Sequence, residues 1–158
     1  MTNPFAEGEN RALMPPSTLM VIFGASGDLA HRKLIPALFN LYCDGHLPPG
    51  FMVLGTSRSA MSEEQFRNGL LEGVRKYSRR EVAESQWHAF ARNIYYEAAD
   101  AASEAGARGL RRRIEELGSR GGAEHNYLHY LATSPALFAP IATALRAAGL
   151  VQPARSSL

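Results

Sequence analysis

The chain has 158 residues, of which 46% are hydrophobic and 20% are charged, a size and composition typical of one globular domain. Its net charge of +2 is too small to indicate nucleic acid as the main partner. The only cysteine, Cys43, excludes an internal disulfide and a thiolate metal site, and it favours a reducing compartment.

The first segment, residues 1–17, is polar and interrupted by proline, so we expect a flexible arm. It contains no apolar stretch of signal-peptide length. The longest apolar run, residues 19–23, is far too short to span a bilayer. The sequence therefore predicts a cytoplasmic protein that binds neither a membrane nor nucleic acid and that holds no metal.

Short apolar strands alternate with longer helices along the rest of the chain. Strands are predicted at 19–24, 51–55, 94–98 and 126–132. Helices are predicted at 27–43, 62–77, 80–93, 103–122 and 135–149, with a kink at Pro36 in the first of them. This alternation predicts an α/β fold, a doubly wound, Rossmann-like parallel sheet of at least four strands with helices on both faces. We expect this sheet to be part of a larger one.

The turn after the first strand, GASGDLA at 24–30, combines small residues with the start of a helix. Gly24 lets the chain turn sharply, Gly27 has no Cβ to block a pyrophosphate, and Ala30 lets the helix lie close to the sheet. Free N–H groups of the first helical turn would face a bound anion. The pattern alone also fits a plain strand-to-helix connection, but its position after the first strand favours a nucleotide site. No Gly-Lys-Ser/Thr follows, so the turn is not a P-loop.

The end of the second strand indicates which nucleotide such a site would bind. NAD-specific domains carry an Asp or Glu there, which accepts hydrogen bonds from the adenosine ribose. This chain has LGTSRS instead, with no carboxylate before Glu63. Arg58, flanked by Ser57 and Ser59, suits a 2′-phosphate because a guanidinium can donate to two phosphate oxygens. A solvated loop arginine is the alternative, but the missing carboxylate favours NADP.

These residues are part of a longer pattern. The stretch VIFGASGDLAHRKLIPALFNLY, followed by GHLPPGFMVLGTSRS, resembles the N-terminal coenzyme domain of glucose-6-phosphate dehydrogenase. The later stretch NYLHYLATSPALFAPIATAL is similar to another segment of the same family. The resemblance covers about residues 19–150 and includes Pro36. It implies an NADP-binding domain at 18–150, followed by a tail at 151–158 where the sequence of the family is cut short.

The resemblance also implies a set of coenzyme-binding residues. Arg58 would hold the 2′-phosphate, Lys33 would face the cleft between coenzyme and sugar phosphate, and Asp100 would lie near the coenzyme. Seven consecutive residues would hold the coenzyme phosphates, namely Gly24, Ala25, Ser26, Gly27, Asp28, Leu29 and Ala30.

The chain departs from the family in ways that bear on catalysis. Ser134 replaces the first of two prolines, His129 replaces an aromatic residue, and Phe138 stands where some members have tyrosine. The Glu-Lys-Pro strand is absent, as is the segment that binds the sugar phosphate and leads to the general base. None of the five histidines has a carboxylate at a spacing that would orient it as a base. We therefore predict no catalytic residue in this chain, and we expect His129 to be a core histidine.

The function implied by the resemblance is that of the coenzyme-binding part of an oxidoreductase, glucose-6-phosphate 1-dehydrogenase. The complete enzyme oxidises glucose 6-phosphate to 6-phosphogluconolactone with NADP in the pentose phosphate pathway. Glucose 6-phosphate would be a partner of the complete enzyme only, and we expect this chain alone to be inactive. A stand-alone, non-catalytic NADP-binding module is the alternative. A short-chain reductase does not fit, because no tyrosine is followed by lysine four residues later.

Overall fold

A computed structural model describes residues 16–120 and 126–151. Of the predicted arm, only residues 16 and 17 are described. The Ser17 carbonyl accepts a hydrogen bond from the Asn126 N–H at 2.9 Å. Residues 152–158 of the predicted tail and the last two residues of the helix predicted at 103–122 lie outside the described residues.

Four parallel strands form the sheet, in the order β3-β2-β1-β4. They are β1 Thr18–Phe23, β2 Met52–Ser57, β3 Ile94–Ala98 and β4 Asn126–Leu131. β1 pairs with β2 on one side and with β4 on the other, so that Val21 lies opposite both Leu54 and His129. The sequence of β1 is apolar after its first residue because the strand is covered by neighbours on both edges and by helices on both faces.

Helices fill the connections between the strands and follow the last one. Their bounds are Ile35–Cys43 for α1, Glu63–Tyr77 for α2, Glu84–Ala91 for α3, Glu104–Ser119 for α4 and Phe138–Ala147 for α5. α1, α2 and α3 pack on one face of the sheet, and α4 and α5 pack on the other. The predicted doubly wound α/β fold is therefore confirmed. Within the described residues, these helices lack the combination of length and hydropathy that crossing a membrane requires.

The first helix is irregular at its start. Asp28 and Leu29 are α-helical, and Ala30–Leu34 form a π-helical turn before α1. The Ile35 N–H donates to Ala30 O, one residue further back than in an α-helix. Pro36 follows and has no N–H with which to continue an α-helical ladder. The structure thus shows a π turn just before the proline, and the kink expected at Pro36 itself stays a prediction.

α2 packs directly against this π turn and against the end of β2. A Cβ on Gly73 would lie 2.4 Å from His31 O, so glycine alone allows the two backbones to approach so closely. A Cβ on Gly55 would lie 2.4 Å from the ring of Phe66, which occupies that space. α2 thereby fixes the start of the first helix relative to β2, and both elements contribute to the candidate site.

The two edges of the sheet differ in how they are covered. Side chains from α2 and α4 meet over β3, where Arg67 donates to Ile94 O at 2.8 Å and Arg113 donates to Glu63 at 2.6 Å. β4 forms the other edge, and its Leu128 is 50% exposed. The β3 edge is thus shielded by an ion pair and a side-chain-to-backbone hydrogen bond, whereas β4 is open within the described part of the chain.

Candidate functional site

The turn after β1 is fixed by contacts with the neighbouring strands. The N–H groups of Gly24 and Ala25 both donate to Thr56 O, at 2.9 and 3.1 Å, and the Gly27 N–H donates to Gly24 O at 3.0 Å. Gly24 has a φ of 77°, and a Cβ there would lie 2.6 Å from Ala132 O. Position 24 therefore requires glycine, and the turn is held between the ends of β2 and β4.

A cavity of about 310 Å³ opens at the carboxyl edge of the sheet. Its lining includes Gly24, Ser26 and Gly27 after β1, Thr56, Ser57, Arg58 and Ser59 at the end of β2, Asp100 after β3, and Thr133 and Ser134 after β4. Because β2 and β4 lie on opposite sides of β1, the cavity sits where the chain reverses its direction across the sheet. Doubly wound folds bind their ligands at this kind of position.

The cavity brings together half of the ten residues that the sequence predicts to bind coenzyme. Those that line it are Gly24, Ser26, Gly27, Arg58 and Asp100. They come from three separate stretches of the chain and meet because parallel strands present their carboxyl ends at one edge.

The other five predicted residues lie outside the described lining. Ala25 and Ala30 are fully buried, and Ala25 Cβ would lie 2.9 Å from a Cβ on Gly55, so the space between the turn and β2 is tight at Ala25. Both side chains belong to the core on the face of the sheet that α1, α2 and α3 cover.

The remaining three, Asp28, Leu29 and Lys33, are exposed at the start of the first helix. Asp28 accepts a hydrogen bond from Arg32 at 3.0 Å, one helical turn away. This carboxylate raises the pKa of Arg32 above its usual value. Asp28 is therefore paired with Arg32 of its own helix, and the Leu29 side chain is 42% exposed to solvent.

Arg58 lies on a turn that a tyrosine from the next strand holds in place. The Tyr96 hydroxyl donates to Ser59 O at 2.5 Å and lies 2.7 Å from Ser57 Oγ. The Ser59 N–H in turn donates to Ser57 Oγ at 3.2 Å. Residues on both sides of Arg58 are therefore bound to one hydroxyl, while the Arg58 side chain is exposed at the cavity.

Asp100 lies in a tight loop between β3 and α4. Its carboxylate accepts a hydrogen bond from the Ala102 N–H at 3.2 Å. Its backbone carbonyl accepts hydrogen bonds from both the N–H and the hydroxyl of Ser103, which caps α4. A Cβ on Gly106 would lie 2.0 Å from that carbonyl. The loop therefore packs on the first turn of α4 and holds Asp100 at the cavity.

Thr56 is a cavity residue that the sequence analysis missed. It is 1% exposed, and its hydroxyl has no hydrogen-bond partner among the described residues. Leaving a buried hydroxyl unpaired costs about 1–3 kcal/mol. The signal that could have found it is its place at the carboxyl end of β2, where a polar residue interrupts an apolar strand. The same signal applies to Thr133 and Ser134 after β4.

The arrangement suits a phosphorylated ligand. The start of a helix presents N–H groups without helical partners and the positive end of the helix dipole. A Cβ placed on Gly27 would approach only Gly24 O, at 3.1 Å, among described atoms beyond its chain neighbours. Glycine thus leaves this side of the turn open. Arg58 adds a cation able to form charge-assisted hydrogen bonds with phosphate.

His129 is half-buried in β4 and does not belong to the described cavity lining. Its ring lies 5.9 Å from that of Phe23, and its Nε2 lies 3.3 Å from Leu150 O. Burial lowers the pKa of His129. Its Nδ1 has no partner among the described residues, so the histidine that the sequence predicts in the core is only half-buried and is satisfied at one nitrogen.

Comparison with protein families and curated proteins gives a consistent result. A family described as "Glucose-6-phosphate dehydrogenase, NAD binding domain" matches residues 21–157. The glucose-6-phosphate 1-dehydrogenase of Streptococcus pneumoniae is 38% identical over 140 residues, which cover 87% of this chain and 27% of the relative. The enzyme of Leuconostoc mesenteroides is 33% identical over 134 residues, which cover 85% and 27%. The chain thus spans about a quarter of the length of these relatives.

Solved structures show the same similarity in three dimensions. A glucose-6-phosphate 1-dehydrogenase from Mycobacterium avium superposes with a TM-score of 0.74 and 26% identity, covering 87% of this chain and 28% of that protein. A glucose-6-phosphate dehydrogenase in complex with its substrate glucose-6-phosphate also gives a TM-score of 0.74, at 32% identity, and covers 85% and 28%.

Proposed function

Because the chain belongs to the glucose-6-phosphate dehydrogenase family, to its NAD binding domain, we propose that it forms the coenzyme-binding part of a glucose-6-phosphate 1-dehydrogenase. The family resemblance, which rests on the sequence stretches at 21–42, 45–59 and 126–145, is confirmed by these matches. The observation that supports the proposal most strongly is the cavity at the carboxyl edge of the sheet, where the turn after β1, Arg58 and Asp100 meet.

The predicted coenzyme, NADP, agrees with membership of this family. We propose that the turn at 24–30 takes the coenzyme phosphates and that Arg58 takes the 2′-phosphate. The open side of Gly27 and the cation at the end of β2 support these roles, because both lie on the same cavity. No carboxylate stands at the end of β2 to repel a 2′-phosphate. These residues fit the group that the family implies.

The size of the cavity limits what it can hold. At about 310 Å³ it lies near the lower end of the range for small-molecule sites, which is roughly 300–1,000 Å³. This volume fits part of a dinucleotide. The residues on the lining, a cation, a carboxylate and several hydroxyls, suit its adenosine and phosphate groups.

The residues of this chain would bind and orient the coenzyme, whose nicotinamide ring supplies the hydride acceptor for oxidation of a sugar alcohol when it is bound. Arg58 and Asp100 are the only titratable groups in the described lining. The Asp100 carboxylate accepts a hydrogen bond from the Ala102 N–H and lies on the proposed coenzyme cavity together with Arg58, so we assign both groups to coenzyme binding rather than to proton transfer. We propose that Lys33 faces the cleft between coenzyme and sugar phosphate and that the base lies outside these 158 residues.

The test is heat unfolding of the purified chain, followed by circular dichroism, with increasing NADP. A ligand that binds only the folded state stabilises it by about 2.7 kcal/mol at a hundred times its Kd, so the midpoint should rise with NADP concentration. Adenosine at the same concentrations is the control and should shift it much less, because it lacks phosphates. A folded chain whose midpoint does not respond to NADP would contradict the proposal.

A further inference from the structure

We propose that Tyr96 is a positioning residue that sets the preference of the site for a 2′-phosphorylated dinucleotide over an unphosphorylated one. It does so by holding the turn at 57–59, which carries Arg58. The inference rests on the proposed role of Arg58 and adds a residue from the neighbouring strand to it.

The ring of Tyr96 is fixed by the core. Tyr96 lies opposite Gly55 in the pairing of β2 with β3. Because Gly55 has no side chain, the ring of Phe66 occupies the space above it, and the Tyr96 ring packs on Phe66 at 4.7 Å between centroids. Tyr96 is only 5% exposed. Its hydroxyl therefore reaches the end of β2 from a ring that has little freedom to move.

The hydrogen bonds of the Tyr96 hydroxyl have a definite direction. Its single hydrogen goes to Ser59 O, so the contact with Ser57 Oγ must be a hydrogen bond that Ser57 donates. Ser57 Oγ still accepts from the Ser59 N–H. The three bonds form a closed network around Arg58 that connects the residue before it, the residue after it and the next strand.

This network bears on coenzyme choice because of the chemistry of the guanidinium. A guanidinium binds phosphate through two parallel hydrogen bonds, which depend on the direction from which it approaches. If the turn at 57–59 loosens, the contact with a 2′-phosphate weakens. The affinity for a dinucleotide without that phosphate should not change, because such a dinucleotide makes no contact of this kind with Arg58. A general loss of folding would weaken the binding of NADP and NAD alike. The ratio of the two affinities therefore separates a loosened turn from a destabilised fold.

The experiment compares NADP and NAD affinities of the wild-type chain and Tyr96→Phe by calorimetry. The variant keeps the ring and removes both hydroxyl bonds. We expect the Kd for NADP to rise about three- to tenfold, as for the loss of one or two neutral hydrogen bonds, and the Kd for NAD to change less than about twofold. Tyr95→Phe is the matched control, because Tyr95 lies on the same strand beside Arg113 and Arg120. It should leave both values unchanged.

Two further variants make the test decisive. Ser57→Ala breaks the same network from its other side and should reproduce the loss of preference, even if Tyr96→Phe folds poorly. In an Arg58→Ala background, Tyr96→Phe should have no further effect on NADP affinity, because the contact that it supports is gone.

The outcomes separate the two proposals. The role of Tyr96 would be overturned by any of three results. These are an equal loss of NADP and NAD affinity in Tyr96→Phe, an unchanged NADP affinity in that variant, and additive losses of NADP affinity in the double variant. If Arg58→Ala itself left the NADP affinity unchanged, the proposed site of the 2′-phosphate would be wrong, and the role of Tyr96 would fall with it. If Arg58→Ala weakened NADP binding but Tyr96→Phe did not, only the inference about Tyr96 would fail.

Discussion

Replacing Gly27 by valine should abolish coenzyme binding while leaving the fold intact. Gly27 lines the cavity, and among described atoms beyond its chain neighbours a Cβ there would approach only Gly24 O, at 3.1 Å. Its φ is not in the positive region, so an L-residue can adopt its backbone conformation. A small shift of the Gly24 carbonyl, by a few tenths of an ångström, would make room for the added Cβ, so we expect the fold to be retained. We expect a pyrophosphate to be excluded from this turn in the variant, because the valine methyl groups occupy the space through which the phosphate reaches the backbone N–H groups.

The expected magnitude follows from the hydrogen bonds that would be lost. Each charge-assisted hydrogen bond contributes about 1.5–3 kcal/mol. Losing one or two of them lowers affinity by roughly ten- to ten-thousand-fold. Calorimetric titration with NADP measures this loss, and circular dichroism and heat unfolding verify the fold. NADP binding by Gly27→Val within threefold of wild type would show that the phosphates lie elsewhere.

Gly24→Ala is the matched control, because it should affect the fold directly. Gly24 has a φ of 77°, and its Cβ would lie 2.6 Å from Ala132 O. A non-glycine residue in the left-handed region costs about 1–2 kcal/mol, and the displaced backbone adds to this. The free energy of unfolding should therefore fall in Gly24→Ala and change by less than about 1 kcal/mol in Gly27→Val. A reversal of that order would refute the description of the turn.

Two further predictions concern the core and the reaction. Thr56→Val removes a buried hydroxyl that has no partner among the described residues, and it keeps the shape of the side chain. Urea unfolding should therefore show a free energy of unfolding about 1 kcal/mol higher than wild type, whereas a loss of stability would mean that the hydroxyl has a partner. The purified 158-residue chain with glucose 6-phosphate and NADP should form no NADPH by absorbance, because base catalysis alone typically contributes 10²–10⁴-fold. Turnover within tenfold of a full-length relative would show that the base lies within this chain.

Much of the fold follows from local pattern. The four strands are apolar enough to be recognised individually, and their alternation with helices determines a parallel, doubly wound sheet. Two details depend on longer-range packing. The helix predicted at 80–93 is shortened to Glu84–Ala91, and the π turn before Pro36 packs backbone to backbone against α2 at Gly73. The coverage of the β3 edge by Arg113 and Glu63 joins residues fifty positions apart, which no local pattern reveals.

The candidate site was predicted best where a residue directly follows a strand. Gly24, Gly27, Arg58 and Asp100 meet because parallel strands end at one edge. Asp28, Leu29 and Lys33 were chosen from a continuous motif, but a helix turns successive residues in different directions, so these three lie outside the described lining. Their assignment as coenzyme ligands remains a prediction. The Tyr96 network was missed because its partners lie on two strands whose pairing becomes visible only in three dimensions.

The preference for NADP over NAD tests the central proposal most directly. Calorimetric titration of the wild-type chain and Arg58→Ala with both coenzymes gives four affinities. We expect wild type to bind NADP more tightly than NAD. Arg58→Ala should lose about 1.5–3 kcal/mol of NADP binding, roughly ten- to a hundredfold, with NAD affinity unchanged. Arg92→Ala, which removes an exposed arginine before β3, should leave all values as they are. Equal affinities of wild type for the two coenzymes, or a preference that survives Arg58→Ala, would contradict the account.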